Sequence, residues 1–441
     1  MGAAVDPQTS APAPSSFWRH PGAWLREKNL SGSYWVFFNA AFFYDTGFAI
    51  YWFLFNLYLL DFHFNERSIG LVNGALTLGL LAGTLPAGAM GRRFGPRPVL
   101  LFCFTVSPLL NAARAMWIWE PAQIVLAFVA GVSMCSWTVT FLPAVSKLTT
   151  KSNRTAAISL IFSVGVGSSA LGGVLCGYLP QWLAGAGLAP QPDAIKRLIL
   201  LGSCGFAALG FFPVLRLRMP RTAEDLPLRK RVWPGSFQLN PFLCRFLLCM
   251  ALWSAILAAF NPFANVYLSS DLHVPLAHIG LIFSIAQLLQ LVSGLLVPIV
   301  LRRLGMRNGI LATQLAAAIT LGAMAGVHQR GIAVAFYLAF SASQWMSSPG
   351  LYSLLMNETP EAERSTAAAS TMFANSLICS AATAAAGVLI AQWGYSHVLF
   401  VLAPCAAAVA LLCRLLLTPN TERGTSRAAP DLRPSAIGNL D

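Results

Sequence analysis

One carboxyl stands apart in this chain. Asp45, in the stretch FFYDTGF at 42–48, is the only charged residue between Gly32 and Leu60. Desolvation disfavours a carboxylate in such a setting, which suits Asp45 to carry a coupling proton or to act as the counter-charge of a cationic ligand. The plainer reading is a structural acid bonded to a neighbouring helix. Amides supply the other polar chemistry. Asn261 and Asn265 lie four apart around Pro262, on one helical face beside a residue that breaks the hydrogen-bond ladder. Asn56, Gln287, Gln290, Gln344 and Asn375 join them inside apolar runs, and Trp253, with Trp52, Trp137 and Trp345, offers aromatic walls. Together they describe the lining of a cavity for a small organic molecule.

Other chemistries lack their residues. The six histidines stand apart from cysteines and acids at metal-ligand spacing, so no metal site is expected. No Walker loop, Ser/His/Asp set or HExxH motif occurs, so no catalytic residue, nucleotide or other cofactor is assigned, and a proton gradient is the energy source left open. The nine cysteines are scattered through apolar runs without pairing patterns and read as packing residues.

The elements that hold these residues follow from composition. Of 441 residues, 56% are apolar and 10% charged, with a mean hydropathy of +0.64. Soluble domains carry about a quarter charged residues, so lipid must be the main solvent. Unbroken apolar runs of about 20 residues are the signature of spanning helices, which satisfy their own backbone groups. Twelve runs are predicted, at 32–60, 68–90, 98–117, 122–145, 155–180, 197–215, 242–268, 278–301, 307–327, 331–356, 365–392 and 396–418. Residues 1–31 read as a disordered or amphipathic tail rather than a signal peptide, and Asp6 spoils a myristoylation pattern. Residues 216–241 read as a linker between two six-helix bundles, 32–215 and 242–418, and 419–441 as a second disordered tail.

Charge sets the orientation. With both termini cytoplasmic, that side holds 24 of the 29 basic residues, leaving Arg67, Arg114, Lys196, Arg197 and Arg330 opposite. This is the positive-inside bias. The net charge of +13 is therefore topology and attraction to anionic lipid, not nucleic-acid binding. A monomer in the plasma (inner) membrane is expected.

The chain also repeats itself. GRRFGPRPVLL at 91–101 returns as LRRLGMRNGIL at 301–311, and Ile69-Gly70-Leu71 returns 210 residues later as Ile279-Gly280-Leu281. Asn56-Leu57-Tyr58-Leu59 returns as Asn265-Val266-Tyr267-Leu268 at an offset of 209. A collinear series of this length marks two homologous halves in parallel orientation, with a ligand site at their interface near the bilayer midplane. The run from Gly88 to Arg97 resembles the signature loop of the major facilitator superfamily, and TPEAERSTAAAS at 359–370 also looks like this family. The resemblance, over about residues 30–418, implies an all-α integral membrane protein with twelve transmembrane helices in two bundles. It also implies rocker-switch transport of a small molecule.

The chain departs from the family pattern in two places. Arg92 and Arg302 stand where the family usually has Asp. The resemblance makes Arg92, Arg93, Gly95, Arg97, Arg302, Arg303, Gly305, Arg307, Glu358, Glu361, Glu363 and Arg364 a cytoplasmic gate. Glu361 or Glu363 would there face Arg92 or Arg93 as a charge-swapped latch. Family drug/proton antiporters often carry an Arg in the fourth helix and a Gly-Pro-x-x-Gly-Gly run in the fifth. Here the fourth run has no Arg and the fifth reads Ser168-Ser169-Ala170-Leu171-Gly172-Gly173. Proton-coupled efflux is the leading expectation. A uniporter or symporter importing a metabolite and a non-transporting sensor or scaffold are the alternatives.

Overall fold

The computed structural model describes residues 30–150, 153–187, 192–217, 219, 241–327, 329–359 and 364–417. Most of both expected tails and of the 216–241 linker lies outside them. Every regular element among the described residues is helical. The first half holds α1 (Gly32–Asp61), α2 (Glu66–Phe94), α3 (Pro96–Met116), α4 (Glu120–Leu148), α5 (Arg154–Gly185), α6 (Pro192–Ala208) and the short α7 (Phe211–Arg216). The second holds α8 (Pro241–Phe260), α9 (Leu276–Leu304), α10 (Met306–Gly326), α11 (Arg330–Glu358) and α12 (Arg364–Leu416). α12 runs 53 residues, but its backbone leaves helical geometry at Gly394 (φ 75°, ψ 170°).

Among the described residues nine helical stretches are both long and apolar enough to cross a membrane. α1 and α11 are long enough but fall outside that set. Both turn Tyr, Trp, Asn, Asp, Ser or Gln side chains toward an internal cavity, and those residues lower their hydropathy.

Three tyrosines seven residues apart fix the rotation of α1. The Tyr44 hydroxyl meets Ser107 Oγ at 3.1 Å, Tyr51 donates to the Asn111 carbonyl at 3.0 Å, and Tyr58 donates to the Ala115 carbonyl at 2.8 Å. Their partners are spaced by four along α3, so each rung is one or two helical turns from the next. With that face pinned, positions 45, 48, 49, 52, 53 and 56 form the opposite stripe and line the cavity. Ser31 caps the start of α1 by accepting from the Tyr34 amide at 3.2 Å.

The helix expected over 242–268 is irregular, and Pro262 is the cause. After α8 the chain passes through a 3-10 turn at Asn261–Phe263, a short helical turn at Ala264–Val266 and a π turn at Tyr267–Asp271. Proline has no N–H to give the carbonyl four residues back. That carbonyl, on Ala258, instead accepts the Thr383 hydroxyl at 3.0 Å.

Three of the five basic residues on the sparse side have internal partners. Lys196 pairs with Asp61 at 2.7 Å, and Arg197 donates to the Tyr58 hydroxyl at 2.8 Å. Arg114 is 2% exposed. Its guanidinium lies 4.3 Å above the Phe55 ring and donates to Asn111 Oδ1 at 3.3 Å. These exceptions to the charge bias are structural cations held inside the first half.

The two halves meet where α2 packs on α12 and α5 packs on α9. These crossings are backbone-close. A Cβ on Gly70 would stand 2.9 Å from Gly387 Cα, and one on Gly280 would stand 3.0 Å from Gly177 Cα. Small residues at such crossings are the membrane solution to close helix packing.

Buried cation–π contacts are worth about 2 kcal/mol or more. Arg114→Ala should lower the thermal midpoint of the purified protein in detergent, and Arg114→Lys should restore little of it because an ammonium cannot stack as a guanidinium does. Unchanged midpoints for both variants would show that the cage contributes nothing.

Candidate functional site

A two-lobed cavity lies between the halves. One lobe, about 570 Å3, is walled by α1, α4, α5 and the broken segment after α8. The other, about 660 Å3, is walled by α5, α9 and α11. Trp52, Gly165, Ser169, Asn261, Phe283 and Gln287 line both, so the lobes are one continuous space. Its size suits a small organic ligand.

The structure brings most of the sequence-predicted lining together. Asp45 sits in the first lobe beside Phe48, Trp52 and Trp137. It is the only charged side chain among the described residues lining either lobe. Its helix is held by the stacking of Tyr44 on Phe104 at 4.5 Å between centroids and by the contact of Thr46 Oγ1 with Ser168 Oγ at 2.8 Å. Asn56, Asn261, Asn265 and Gln287 line the same lobe. In the second lobe Gln290 donates to Ser341 Oγ at 2.7 Å. Asn261 donates to Gln344 Oε1 at 2.9 Å and so ties the segment after α8 to α11.

Two expected residues are elsewhere. Trp253 is 2% exposed with its indole nitrogen unpartnered, and Asn375 has a buried amide oxygen without a partner. Neither lines the cavity. Conversely Tyr337 and Ser341 of α11, Phe283 of α9 and Thr138 of α4 line it without having been singled out. Ser341 was findable as the residue one turn before Gln344 on the same face.

At one end the cavity is shut by side-chain bonds between the halves. Asn56 Nδ2 donates to the Pro262 carbonyl at 2.8 Å, and Asn265 Nδ2 donates to the Phe53 carbonyl at 2.8 Å. Ser284 donates to the Ala170 carbonyl at 2.6 Å, and Ser380 to the Gly74 carbonyl at 2.7 Å. Toward the other end the second lobe runs along α9 to Gly294 and Leu295, and its lining glycines Gly165 and Gly294 have open space beside them.

That open end carries the two copies of the basic loop. Gly95 (φ 82°) and Gly305 (φ 76°) adopt the same left-handed turn, a conformation that favours glycine and explains why both copies keep it. Arg97 donates to the Leu215 carbonyl, and Arg307 donates to the Arg414 carbonyl at 2.8 Å. Each bond therefore caps the last helix of its own half. Arg302 and Arg303 are exposed, and Arg93 lies over the ring of its neighbour Phe94. Glu358 ends α11 and is half-buried. Glu361, Glu363 and the side chains of Arg92 and Arg364 lie outside the described residues, and the expected latch with them.

A family model described as Major Facilitator Superfamily matches residues 37–383. No curated protein matches the chain in sequence. Among solved structures, the nucleoside transporter NupG shares 15% identity with a TM-score of 0.73, covering 88% of this chain and 100% of its own. A D-xylose-proton symporter shares 15% at 0.69, covering 88% and 97%. A bacterial homologue of the human lysosomal transporter Spinster, inward-facing and unoccupied, shares 12% at 0.68, covering 88% and 98%. At these identities the likeness is one of fold.

The one-ended opening can be checked by cysteine labelling in a background lacking the native cysteines. Ser169→Cys and Gly294→Cys should react readily with a water-soluble maleimide, while Thr383→Cys, on the packed crossing, should not. Equal reactivity at all three positions would contradict the arrangement.

Proposed function

The chain belongs to the major facilitator superfamily, which makes it a transporter and not an enzyme, and on that premise we propose that it moves a small organic solute with Asp45 as the proton-coupling group. The observation that carries this reading is the isolation of Asp45. It is the lone carboxyl on a cavity wall of aromatic and aliphatic faces, amides and hydroxyls, with no basic side chain among the described lining residues. An acid at such depth costs about 2.5–3.5 kcal/mol on insertion scales when charged. A group that can shed this cost by taking up a proton is suited to alternate between two protonation states as the site changes sides.

The reading includes twelve crossings. A 53-residue α12 would be about 80 Å long if straight, far more than a bilayer core of about 30 Å. The break at Gly394 divides it into two crossings, and α6 with α7 makes one. With both termini cytoplasmic, as the basic residues argue, the open end faces the cytoplasm of a plasma (inner) membrane and this is the inward-facing state. Direction follows the leading expectation of efflux. The latch of Arg92 or Arg93 with Glu361 or Glu363 would belong to the opposite state, when this mouth closes.

A second reading has a specific support. The aromatic faces of Trp52 and Trp137 around Asp45 suit a cationic solute bound directly by the carboxylate and by cation–π contact. Asp45 would then be a substrate counter-charge in a uniporter or symporter.

Proteoliposomes loaded with a pH-sensitive dye and given an imposed pH gradient separate these readings. Solutes from a panel of neutral metabolites and organic cations should drive proton movement in the wild type, and Asp45→Asn should abolish it while leaving downhill exchange. Flux indifferent to the gradient in both proteins would overturn proton coupling. Binding of cations lost in Asp45→Asn without proton movement would favour the second reading, and absence of any flux would leave a sensor.

A further inference from the structure

We infer that Asn56 and Asn265 form the paired outer gate of this transporter, a clasp whose two arms are copies of each other made by the chain's own duplication. Asn56 reaches across to the carbonyl of Pro262, and Asn265 reaches back to the carbonyl of Phe53, each at 2.8 Å. Asn56 corresponds to Asn265, and Phe53 to Pro262, at the same offset of 209 residues. Donor and acceptor of one bond are thus the repeat images of donor and acceptor of the other. Such reciprocity requires the two halves to be related by a pseudo-two-fold axis running between the bonds, through the closed end of the cavity.

The packing behind the clasp obeys the same rule. Gly70 crosses Gly387 and Gly280 crosses Gly177, and here the repeat offset is 210, carrying Gly70 to Gly280 and Gly177 to Gly387. Ser284 bonds Ala170 and Ser380 bonds Gly74, and the same offset carries Gly74 to Ser284 and Ala170 to Ser380. Even His63 and His273, the two non-glycine residues with positive φ among the described residues, are 210 apart. These bonds and crossings of the closed end thus come in repeat-related pairs.

Within it the asparagine bonds are the members that line the cavity. Asn56, Pro262 and Asn265 all face the first lobe, so water or solute entering from the open side reaches them first. Broken, they leave carbonyls that a wet cavity can satisfy. The glycine crossings behind them pack backbone on backbone, and the Ser284 and Ser380 hydroxyls bonded into them lie outside the cavity lining. The clasp is therefore the part of the seal that can respond to the cavity's contents. Its arms differ in what holds the amide oxygen. Asn73 donates to Asn56 Oδ1 at 3.2 Å, whereas Asn265 Oδ1 accepts from the Val266 backbone amide at 2.9 Å. The position 210 residues after Asn73 is Phe283, so only Asn56 is buttressed by a side-chain amide.

The clasp rests on the alternating-access reading, and its test is separable from it. Spin labels at Arg67→Cys, at the start of α2, and Gln392→Cys, just before the Gly394 break in α12, report the separation of the halves by electron–electron resonance in reconstituted vesicles. Interhelical hydrogen bonds in membranes shift an equilibrium by roughly 3-fold on average and up to roughly 20-fold. Asn56→Ala and Asn265→Ala should each raise the long-distance, outer-open population by a factor in that range, by similar amounts, and the double variant by about their product. Asn73→Ala, which removes only the buttress, should give a smaller shift in the same direction and serves as the milder variant if either asparagine proves essential for folding. An unchanged distribution in all variants, or a shift confined to one arm, would overturn the paired gate. Unchanged distances with flux intact would refute the clasp alone, whereas shifted distances without flux of any solute would refute the transport reading and leave the clasp standing.

Discussion

The constraint behind this architecture is that a lipid solvent offers no hydrogen bonds. Each polar group that enters the hydrocarbon must bring a partner or face an internal space. The tyrosines of α1 use carbonyls and a hydroxyl of α3, the carbonyl freed by Pro262 uses Thr383, and Arg114 uses an aromatic cage and an amide. Other polar residues, Asp45 and Gln287 among them, stand on the cavity wall.

Duplication meets that constraint economically. A contact that satisfies polar groups between the halves is available a second time through the two-fold axis, without a new solution having to arise. Gly70 and Gly280 meet backbone rather than side chain, so their repetition reflects a steric need and not mere descent. Gly95 and Gly305 show the same at the other end, where a shared positive φ excludes most other residues.

Much of this was legible in the sequence, and the boundary between legible and hidden has a physical cause. Most of the apolar runs marked their helices to within a few residues because crossing length is fixed by the bilayer, whereas the run at 242–268 breaks after Phe260 and the last two runs share the single α12. The repeat gave the correspondence of Asn56 with Asn265 and of Gly70 with Gly280. It could not give which of those residues touch, because correspondence within a repeat and contact across an axis are different relations. Asp45 was legible because a lone charge is conspicuous in an apolar run. Trp253 and Asn375 were misplaced, and Tyr337 and Ser341 passed over, because in lipid both faces of a helix are apolar. Without a polar face to mark the outside, rotation about the helix axis is invisible. The tyrosine ladder that fixes it for α1 depends on the position of α3, which no local pattern records.

The choice of neutral amides at the closed end is consistent with the task. A seal of buried ion pairs would require several kcal/mol of desolvation per charge to form and a comparable loss to break. Amide-to-carbonyl bonds across membrane helices average about 0.6 kcal/mol, and their broken ends rehydrate from the adjoining cavity. Two such bonds bias a two-state equilibrium by an amount that a bound proton or solute can overcome. The basic loops at the other end lie where side chains are exposed and charges are screened, so ion pairing there is worth about 0–1 kcal/mol per pair. On the proposed reading the two ends would be closed by different chemistries of similar weak strength, a balance that would let neither face of the membrane hold the transporter permanently.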